Sequence, residues 1–339
     1  MILIKIKKKY ITNIYISNSY KKIYNFLNKK KYFLIFDYNI YFLFFKFIKF
    51  NFKNYKFIIL PYGENVKNIN SLKIIWKYMI KNQINKNYNT FIIGGGVIGD
   101  LVSYVCSSYF RGINYCLLPT SLLSQIDSSI GGKNAINFFS KNTLGIINCP
   151  IFIFINYLII FYMKKKEFKD GYAEIIKYSL LNNKKFFFYL FKKKKIKKII
   201  IRSCYIKSKI ISQDYKEINF RSVLNLGHTY AHCIENNKIK KFSHGESVTI
   251  GTIFVVFLSS FFYFFCNKII KKILNLFLKF NFFIKNKIKF SKKMINKIIL
   301  DKKFDNKINY IIMRKIGFCI KKKLKKNFLI IFLKKFYEI

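Results

Sequence analysis

Residues 89–112 read NTFIIGGGVIGDLVSYVCSSYFRG. An apolar β-type run meets glycines at 94, 96 and 99, and a helical pattern follows at once. This is G-x-G-x-x-G between a strand and a helix, where backbone N–H groups and the helix N-terminus receive a pyrophosphate. Glycine spacing alone is a weak signal; the strand–turn–helix context strengthens it. No acid lies about 20 residues downstream, as the ordinary dinucleotide fingerprint requires. The stretch predicts an α/β nucleotide-binding domain of non-standard arrangement.

Working outward, KFIIL (56–60) reads as a strand ending at Pro61, with Gly63, Glu64 and Lys67 in the loop beyond it. Residues 71–81, SLKIIWKYMIK, carry helical periodicity. Further upstream, Asp37 and Asn39 interrupt an apolar, strand-like run at 32–45. Asp37 is either a strand-end acid for a ribose hydroxyl or a turn residue. Downstream, INYCLLP forms a strand ending at Pro119, followed by a helical turn, Asp127, and the Gly131-Gly132-Lys133 loop. Lysines beside glycine loops suit phosphate as point charges, which draws in Lys133 and Lys141. After IFIFIN (151–156) the pattern turns helical, with few strand signals before residue 308. The expected division is 1–156, an α/β nucleotide-binding domain, and 157–339, a mainly α-helical domain.

All three histidines fall within residues 225–246, NLGHTYAHCIENNKIKKFSHGE. His228 and His232 are four apart and share a helix face, and His244 returns after a polar connection. Two imidazoles from one segment and one from another can hold a divalent metal. In KDGYAEIIKYSLL, Glu174 is either one half of a solvated pair with Lys177 or a carboxylate ligand completing His/His/Glu.

Lys and Arg number 64 against 14 acids, a net charge of +50. Such charge suits polyanions. Yet only four of the cations are arginine, and the excess residues (Lys, Asn, Ile, Phe, Tyr) are those of A/T-rich codons. Mutational bias explains that better than a dedicated nucleic-acid surface, and zinc-finger and RNA-binding signatures are missing. Seven cysteines without a CxxC pair predict free thiols in a reducing, cytoplasmic compartment. The N-terminus shows no signal-peptide pattern. Residues 247–266 are twenty uncharged residues that pass a crude membrane-span test. Their position beside His244 favours a buried helix and no membrane partner.

Together these blocks resemble the 3-dehydroquinate synthase family. The matching segments are LPYGENVK (60–67), GGGVIGDLVSY (94–104), RGINYCLLPTSLLSQIDSSIGGKNAIN (111–137), KN (141–142), GYAEIIKYSLL (171–181), LNLGHTYAHCIE (224–235), HGESVTIG (244–251) and DKK (301–303). The resemblance implies an α/β NAD-binding domain followed by an all-α metal- and substrate-binding domain, usually as a homodimer. It implies that Glu174, His228 and His244 hold a divalent metal, Zn²⁺ or Co²⁺, and that His232 contacts substrate instead. Gly95, Gly96, Val97, Asp100, Glu64, Lys67, Thr120, Ser121, Asp37, Asn39, Lys133 and Lys141 fall on the NAD⁺ side. Lys133, Asn142, Lys177, Lys207, Arg221, Asn225 and Lys303 match substrate-binding positions. Arg111 matches an arginine reaching the phosphate from the neighbouring subunit, and Asp127 an acid linking cofactor and substrate.

The implied substrate is 3-deoxy-D-arabino-heptulosonate 7-phosphate, an anionic sugar phosphate. In the family chemistry NAD⁺ oxidises its C5 hydroxyl, phosphate is eliminated, the hydride returns, and the opened sugar closes by an aldol step. Departures from the family pattern are Tyr62, Ser121, Asn134, Ala231, a loop at 138–140 one residue short, and Cys149 in place of Gln. Rival readings are another sugar-phosphate cyclase, a polyol dehydrogenase releasing NADH, and a polyanion-binding protein.

Overall fold

The computed structural model describes residues 1–6, 12–27, 31–52, 54–182, 184–192, 195–235, 242–263, 265–282 and 307–338. They form two compact units, Met1–Phe168 with Ile196–Lys216, and Lys169–Lys195 with Glu217–Ile339.

The first unit is built on a seven-stranded sheet in the order β1-β2-β9-β6-β5-β3-β4. Its strands are β1 (Ile2–Ile6), β2 (Thr12–Ser17), β3 (Lys31–Asp37), β4 (Tyr55–Leu60), β5 (Tyr88–Gly94), β6 (Tyr115–Pro119) and β9 (Phe152–Asn156). Only the β1–β2 pair is antiparallel. Every residue of β6 and β9 is buried, as expected where helices cover both faces of a parallel sheet. Helix α1 (Tyr38–Asn51) packs on β3 and β4, α2 (Ile69–Lys81) on α3, and α3 (Gly96–Ser108) on β5 and β6. A hairpin, β7 (Lys133–Phe138) and β8 (Ser140–Ile147), leans on α3.

Three features go beyond the reading of the sequence. The apolar run at 32–45 is not one strand: β3 stops at Asp37 and α1 starts at Tyr38. Oδ1 of Asp37 accepts from the N–H of Asn39, 3.0 Å away, in the first turn of α1, so the acid marks the junction. The Gly-Gly-Lys region continues into the β7–β8 hairpin, which short mixed runs at 133–147 did not announce. Helix α6 (Ile196–Gln213) lies beyond the change of pattern at 157, yet it packs on β1 and on the turn at 124–128 within the first unit.

The second unit is mainly helical. It takes in most of α4 (Lys165–Asn182), then α5 (Lys184–Phe191), α7 (His228–Glu235), α8 (His244–Tyr263), α9 (Asn267–Lys279) and α10 (Lys326–Glu338). A hairpin of β10 (Lys307–Lys315) and β11 (Phe318–Lys325) accompanies them. The Lys-rich tail therefore holds a strand and a helix that its composition hid. Helix α8 is the core: α7, α9, α10 and β10 all pack on it. It is long and apolar enough to cross a membrane, but 72% of its most apolar window is buried within the protein. Helices α7 and α8 approach until a Cβ on Gly251 would stand 2.1 Å from the Gly227 carbonyl oxygen. All seven cysteines are free thiols.

Candidate metal and nucleotide sites

The first unit carries its candidate residues at the C-terminal ends of β3 and β5. From β3 the chain moves outward to β4, then returns to the other side of β3 at β5 and continues to β6 and β9. The order therefore reverses between β3 and β5, where open parallel sheets leave a crevice for ligands. Asp37 closes β3 and Gly94 closes β5; a Cβ on Gly94 would lie 3.3 Å from the Asp37 Cβ. An acid from upstream in the chain therefore stands beside the glycines, on the strand next to β5. Burial raises the Asp37 carboxyl above its usual pKa, against the Asn39 N–H.

Helix α3 starts at Gly96 behind Gly95, with no side chain capping its first N–H groups. A Cβ on Gly96 would come within 2.8 Å of Ser128 Oγ. Gly94, Gly95, Gly96, Gly99, Asp100, Ser128 and Asn134 line one cavity. Uncapped donors over a glycine floor at a strand–helix junction fit an anionic pyrophosphate. Thr120 N–H donates to the Gly94 carbonyl (3.0 Å), and Ser121 turns its hydroxyl to Ser124.

Behind this floor, buried Lys67 donates to Asp100 Oδ2 and Asn142 Oδ1, both at 2.6 Å. Glu64 Oε1 accepts from Asn137 (2.9 Å). The loop after β4 is thereby fastened to the β7–β8 hairpin. Asp127 lies in a single π-helical turn, Ser124–Ser128, and pairs with Lys207 of α6, which also donates to the Asp127 carbonyl. Lys133 and Lys141 are exposed on the hairpin. Arg111 is exposed after α3 with positive φ (61°) and lines a separate cavity with Asn148 and Cys149.

In the second unit Glu174, His228 and His244 converge, each offering one ligand atom, all within 4.8 Å of one another. Glu174 Oε1 lies 3.2 Å from His244 Nε2 and 3.4 Å from His228 Nε2. The other ring nitrogens are engaged: His228 Nδ1 with the Leu226 carbonyl (3.2 Å) and His244 Nδ1 with Glu235 Oε1 (2.7 Å). Each Nδ1–H donates outward, so both Nε2 atoms turn toward one carboxylate, as in carboxylate–histidine metal sites. One carboxylate and two imidazoles suit Zn²⁺ or Co²⁺.

The Glu174–Lys177 pair is not a solvated surface pair. Glu174 is fully buried and Lys177 only 2% exposed. Burial alone would raise the Glu174 pKa, but Lys177 and the two imidazoles hold it well below the usual carboxylate range. His232, which spacing alone nominates as a ligand, is 59% exposed and stands outside the cluster. Arg221 is buried nearby in sequence, and Asn225 donates to Glu217 (2.9 Å). Lys303 lies outside the described residues.

Several positioning groups escaped the sequence reading. Ser243 and Glu246 form a reciprocal capping box at the start of α8: Ser243 N–H donates to Glu246 Oε2 (3.0 Å), and Glu246 N–H to Ser243 Oγ (3.3 Å). Asp170 Oδ1 accepts from Ser243 Oγ (2.5 Å) and the Gly245 N–H (2.8 Å). The Ser-x-x-Glu spacing was a legible signal; Asp170 and Glu235 had none.

Comparison with known proteins supplies the lineage. The profile of the 3-dehydroquinate synthase N-terminal region matches residues 57–170, and that of the C-terminal region matches 171–304. The 3-dehydroquinate synthase of Endomicrobium trichonymphae is 35% identical over 295 residues, 84% of this chain and 81% of that protein. That of Helicobacter pylori (strain G27) is 35% identical over 265 residues, 76% of this chain and 77% of its own. Among solved structures, 2-deoxy-scyllo-inosose synthase complexed with carbaglucose-6-phosphate, NAD⁺ and Co²⁺ superposes with a TM-score of 0.86 at 18% identity, covering 99% of both chains. A 2-epi-5-epi-valiolone synthase from Streptomyces hygroscopicus with NAD⁺ and Zn²⁺ bound reaches 0.87 at 17%, covering 98% of both. These structures establish the fold. The two family profiles, matched in order and end to end, and the identity to named members establish that the chain belongs to the 3-dehydroquinate synthase family.

Proposed function

We propose that this protein is the lyase that converts 3-deoxy-D-arabino-heptulosonate 7-phosphate into 3-dehydroquinate and phosphate. That places it in the shikimate pathway, which leads to chorismate and the aromatic amino acids. The convergence of Glu174, His228 and His244, in a chain whose two regions both match the family, carries this reading. NAD⁺ and one divalent metal, the pair named in the solved 2-deoxy-scyllo-inosose and 2-epi-5-epi-valiolone synthases, are its cofactors. When bound, NAD⁺ supplies a reversible hydride acceptor and the metal a Lewis acid.

In this reading Glu174, His228 and His244 hold the metal. The N–H groups of Gly95, Gly96 and Val97 receive the pyrophosphate, and Asp37 with Asn39 contacts a ribose. Glu64, Lys67, Asp100, Thr120, Ser121, Lys133 and Lys141 complete the cofactor side. Lys133, Asn142, Lys177, Lys207, Arg221, Asn225 and Lys303 bind the substrate, their cations offsetting its carboxylate and phosphate. His232 moves a proton at the leaving phosphate. Asp127, held by Lys207, orients substrate against cofactor. Arg111 serves the neighbouring subunit of a homodimer. The functional division follows residues 1–156 for NAD⁺ and 157–339 for metal and substrate, and the enzyme works in the cytoplasm.

The test is phosphate release from the heptulosonate phosphate with NAD⁺ and Zn²⁺, comparing wild type with His244→Ala. Release that disappears in the variant or with chelator, without net NADH, is expected. Steady growth of NADH would favour a dehydrogenase. No release from folded, metal-loaded wild type would overturn the assignment.

A further inference from the structure

Glu235 closes α7, one residue type among many in a sequence with 14 acids, yet its side chain is nearly buried at 9% exposure. Its two oxygens face two different histidines. Oε1 lies 2.7 Å from His244 Nδ1, and Oε2 lies 3.8 Å from His232 Nδ1. His244 in turn points Nε2 at the Glu174 carboxylate, 3.2 Å away. His232 belongs to the same helix as Glu235, three residues earlier, so both sit on one face. His228, on the same helix, finds its Nδ1 partner in a backbone carbonyl instead.

A carboxylate can only accept, so the contact with Oε1 fixes a proton on His244 Nδ1 and leaves Nε2, the nitrogen that faces Glu174, as the one that would take a metal. It also makes that nitrogen more basic. The second oxygen, within ion-pair reach of His232, gives one rigid group a hold on both rings.

Resting on the reading of Glu174, His228 and His244 as the metal ligands, we propose that Glu235 is a positioning residue. It orients His244 for the metal and couples metal occupancy to the setting of the His232 ring. When the metal engages His244 Nε2, the Nδ1–H bond to Glu235 tightens, and the shift of that carboxylate is passed to His232. Glu235 lies outside the Glu174–His228–His244 cluster.

The test uses the full-length protein with Co²⁺ as the probe. Glu235→Gln keeps the shape and removes the charge; Glu235→Asp keeps the charge and withdraws it by one methylene. Both are expected to bind Co²⁺ roughly 10–100-fold more weakly than wild type in chelator competition, and to alter the Co²⁺ visible spectrum. Because the chain has three histidines, ring Cε1–H signals can be assigned with His232→Ala. In wild type the His232 signal should move when a diamagnetic ion, Zn²⁺, is added; in Glu235→Gln it should stay still. Affinity, spectrum and His232 response all unchanged in a folded variant would overturn the proposal. If wild type itself binds no Co²⁺, the ligand assignment fails instead. Should Glu235→Gln not fold, Glu235→Asp decides, since wild-type affinity and an intact His232 response there would equally overturn it.

Discussion

A Cβ added at Gly245 would stand 2.6 Å from the Asp170 Cα and 2.8 Å from its Oδ1. The N-terminus of α8 is thus pressed against α4 at the residue next to His244, and only glycine permits that approach. The same Asp170 oxygen takes the Gly245 N–H. The backbone contact is what aims His244, while the α4 helix carrying Asp170 also carries Glu174.

Gly245→Ala should therefore separate the two helices by a few tenths of an ångström or more. The expected cost is about 1–3 kcal/mol in urea unfolding, typical of overpacking. Metal affinity should fall further than stability alone explains, because His244 moves away from Glu174. Metal binding measured on the folded variant checks this; an unchanged affinity would mean that the ring compensates by rotation.

Much of this architecture was readable beforehand, and for definable reasons. Strands β4, β5, β6 and β9 end in continuous apolar runs closed by Pro61, glycine, Pro119 and Asn156. The run that forms α8 passes a membrane test by length and composition alone; that its surroundings are protein is what no single segment reveals. Helix α1 was hidden because Phe, Ile and Tyr fill it almost all round, erasing its period. Strand β11 and helix α10 were hidden by lysines on their exposed positions. In the site, His228 and His244 declared themselves by scarcity, but spacing alone chose His232 over Glu174. A helix face brings His232 near His228, with ring centroids 5.6 Å apart, without aiming it at the same point. Only a partner from another helix, Glu174, closes the triangle.

Lys67 is the buried counter-charge of Asp100. Burial raises the Asp100 pKa, and Lys67 opposes that rise without cancelling it. A carboxyl with a raised folded pKa favours stability fully below its unfolded pKa of about 4, and that contribution is lost as pH climbs through the folded value. Removing Lys67 enlarges the rise. Lys67→Met should cost about 1–3 kcal/mol at neutral pH, from a buried carboxylate stripped of its partner. The difference from wild type should shrink below about pH 4, where Asp100 is protonated in either state. Urea melts at the two pH values measure it; a pH-independent loss would place the effect in packing.

Metal binding should release protons. Burial pulls the His244 pKa down, but hydrogen bonds and charge from Glu174 and Glu235 outweigh it and raise the value to about 10. The His228 pKa is lowered by burial and by Lys177, so that ring is already neutral. An incoming ion must displace the His244 proton and little else. About one proton should leave per metal near pH 7, and affinity should climb close to tenfold per unit between about pH 7 and 9. Titration calorimetry in buffers of different ionisation enthalpy counts the protons. A count near zero would show His244 neutral before the metal arrives.

The glycine floor under α3 makes a prediction that separates binding from folding. At Gly96 the nearest obstacle to a Cβ is the Ser128 hydroxyl, at 2.8 Å, and the next is the Ser128 Cβ at 3.4 Å. A serine side chain can rotate away, so Gly96→Ala should fold with a loss within about 1 kcal/mol, partly offset because Ala suits a helix better than Gly. The new methyl and the displaced hydroxyl would then occupy the cavity that Gly95, Asp100 and Ser128 line. The N–H groups at the start of α3 remain, but a pyrophosphate can no longer reach them at hydrogen-bond distance. NAD⁺ affinity should drop at least about tenfold, the loss of one well-made charge-assisted hydrogen bond. Metal affinity should not change, because Glu174, His228 and His244 belong to the other unit. Equilibrium binding of NAD⁺ and of Zn²⁺ to the same variant tests both halves at once. Unaltered NAD⁺ binding would mean that the cofactor avoids this helix, and the nucleotide assignment of residues 94–100 would have to be abandoned.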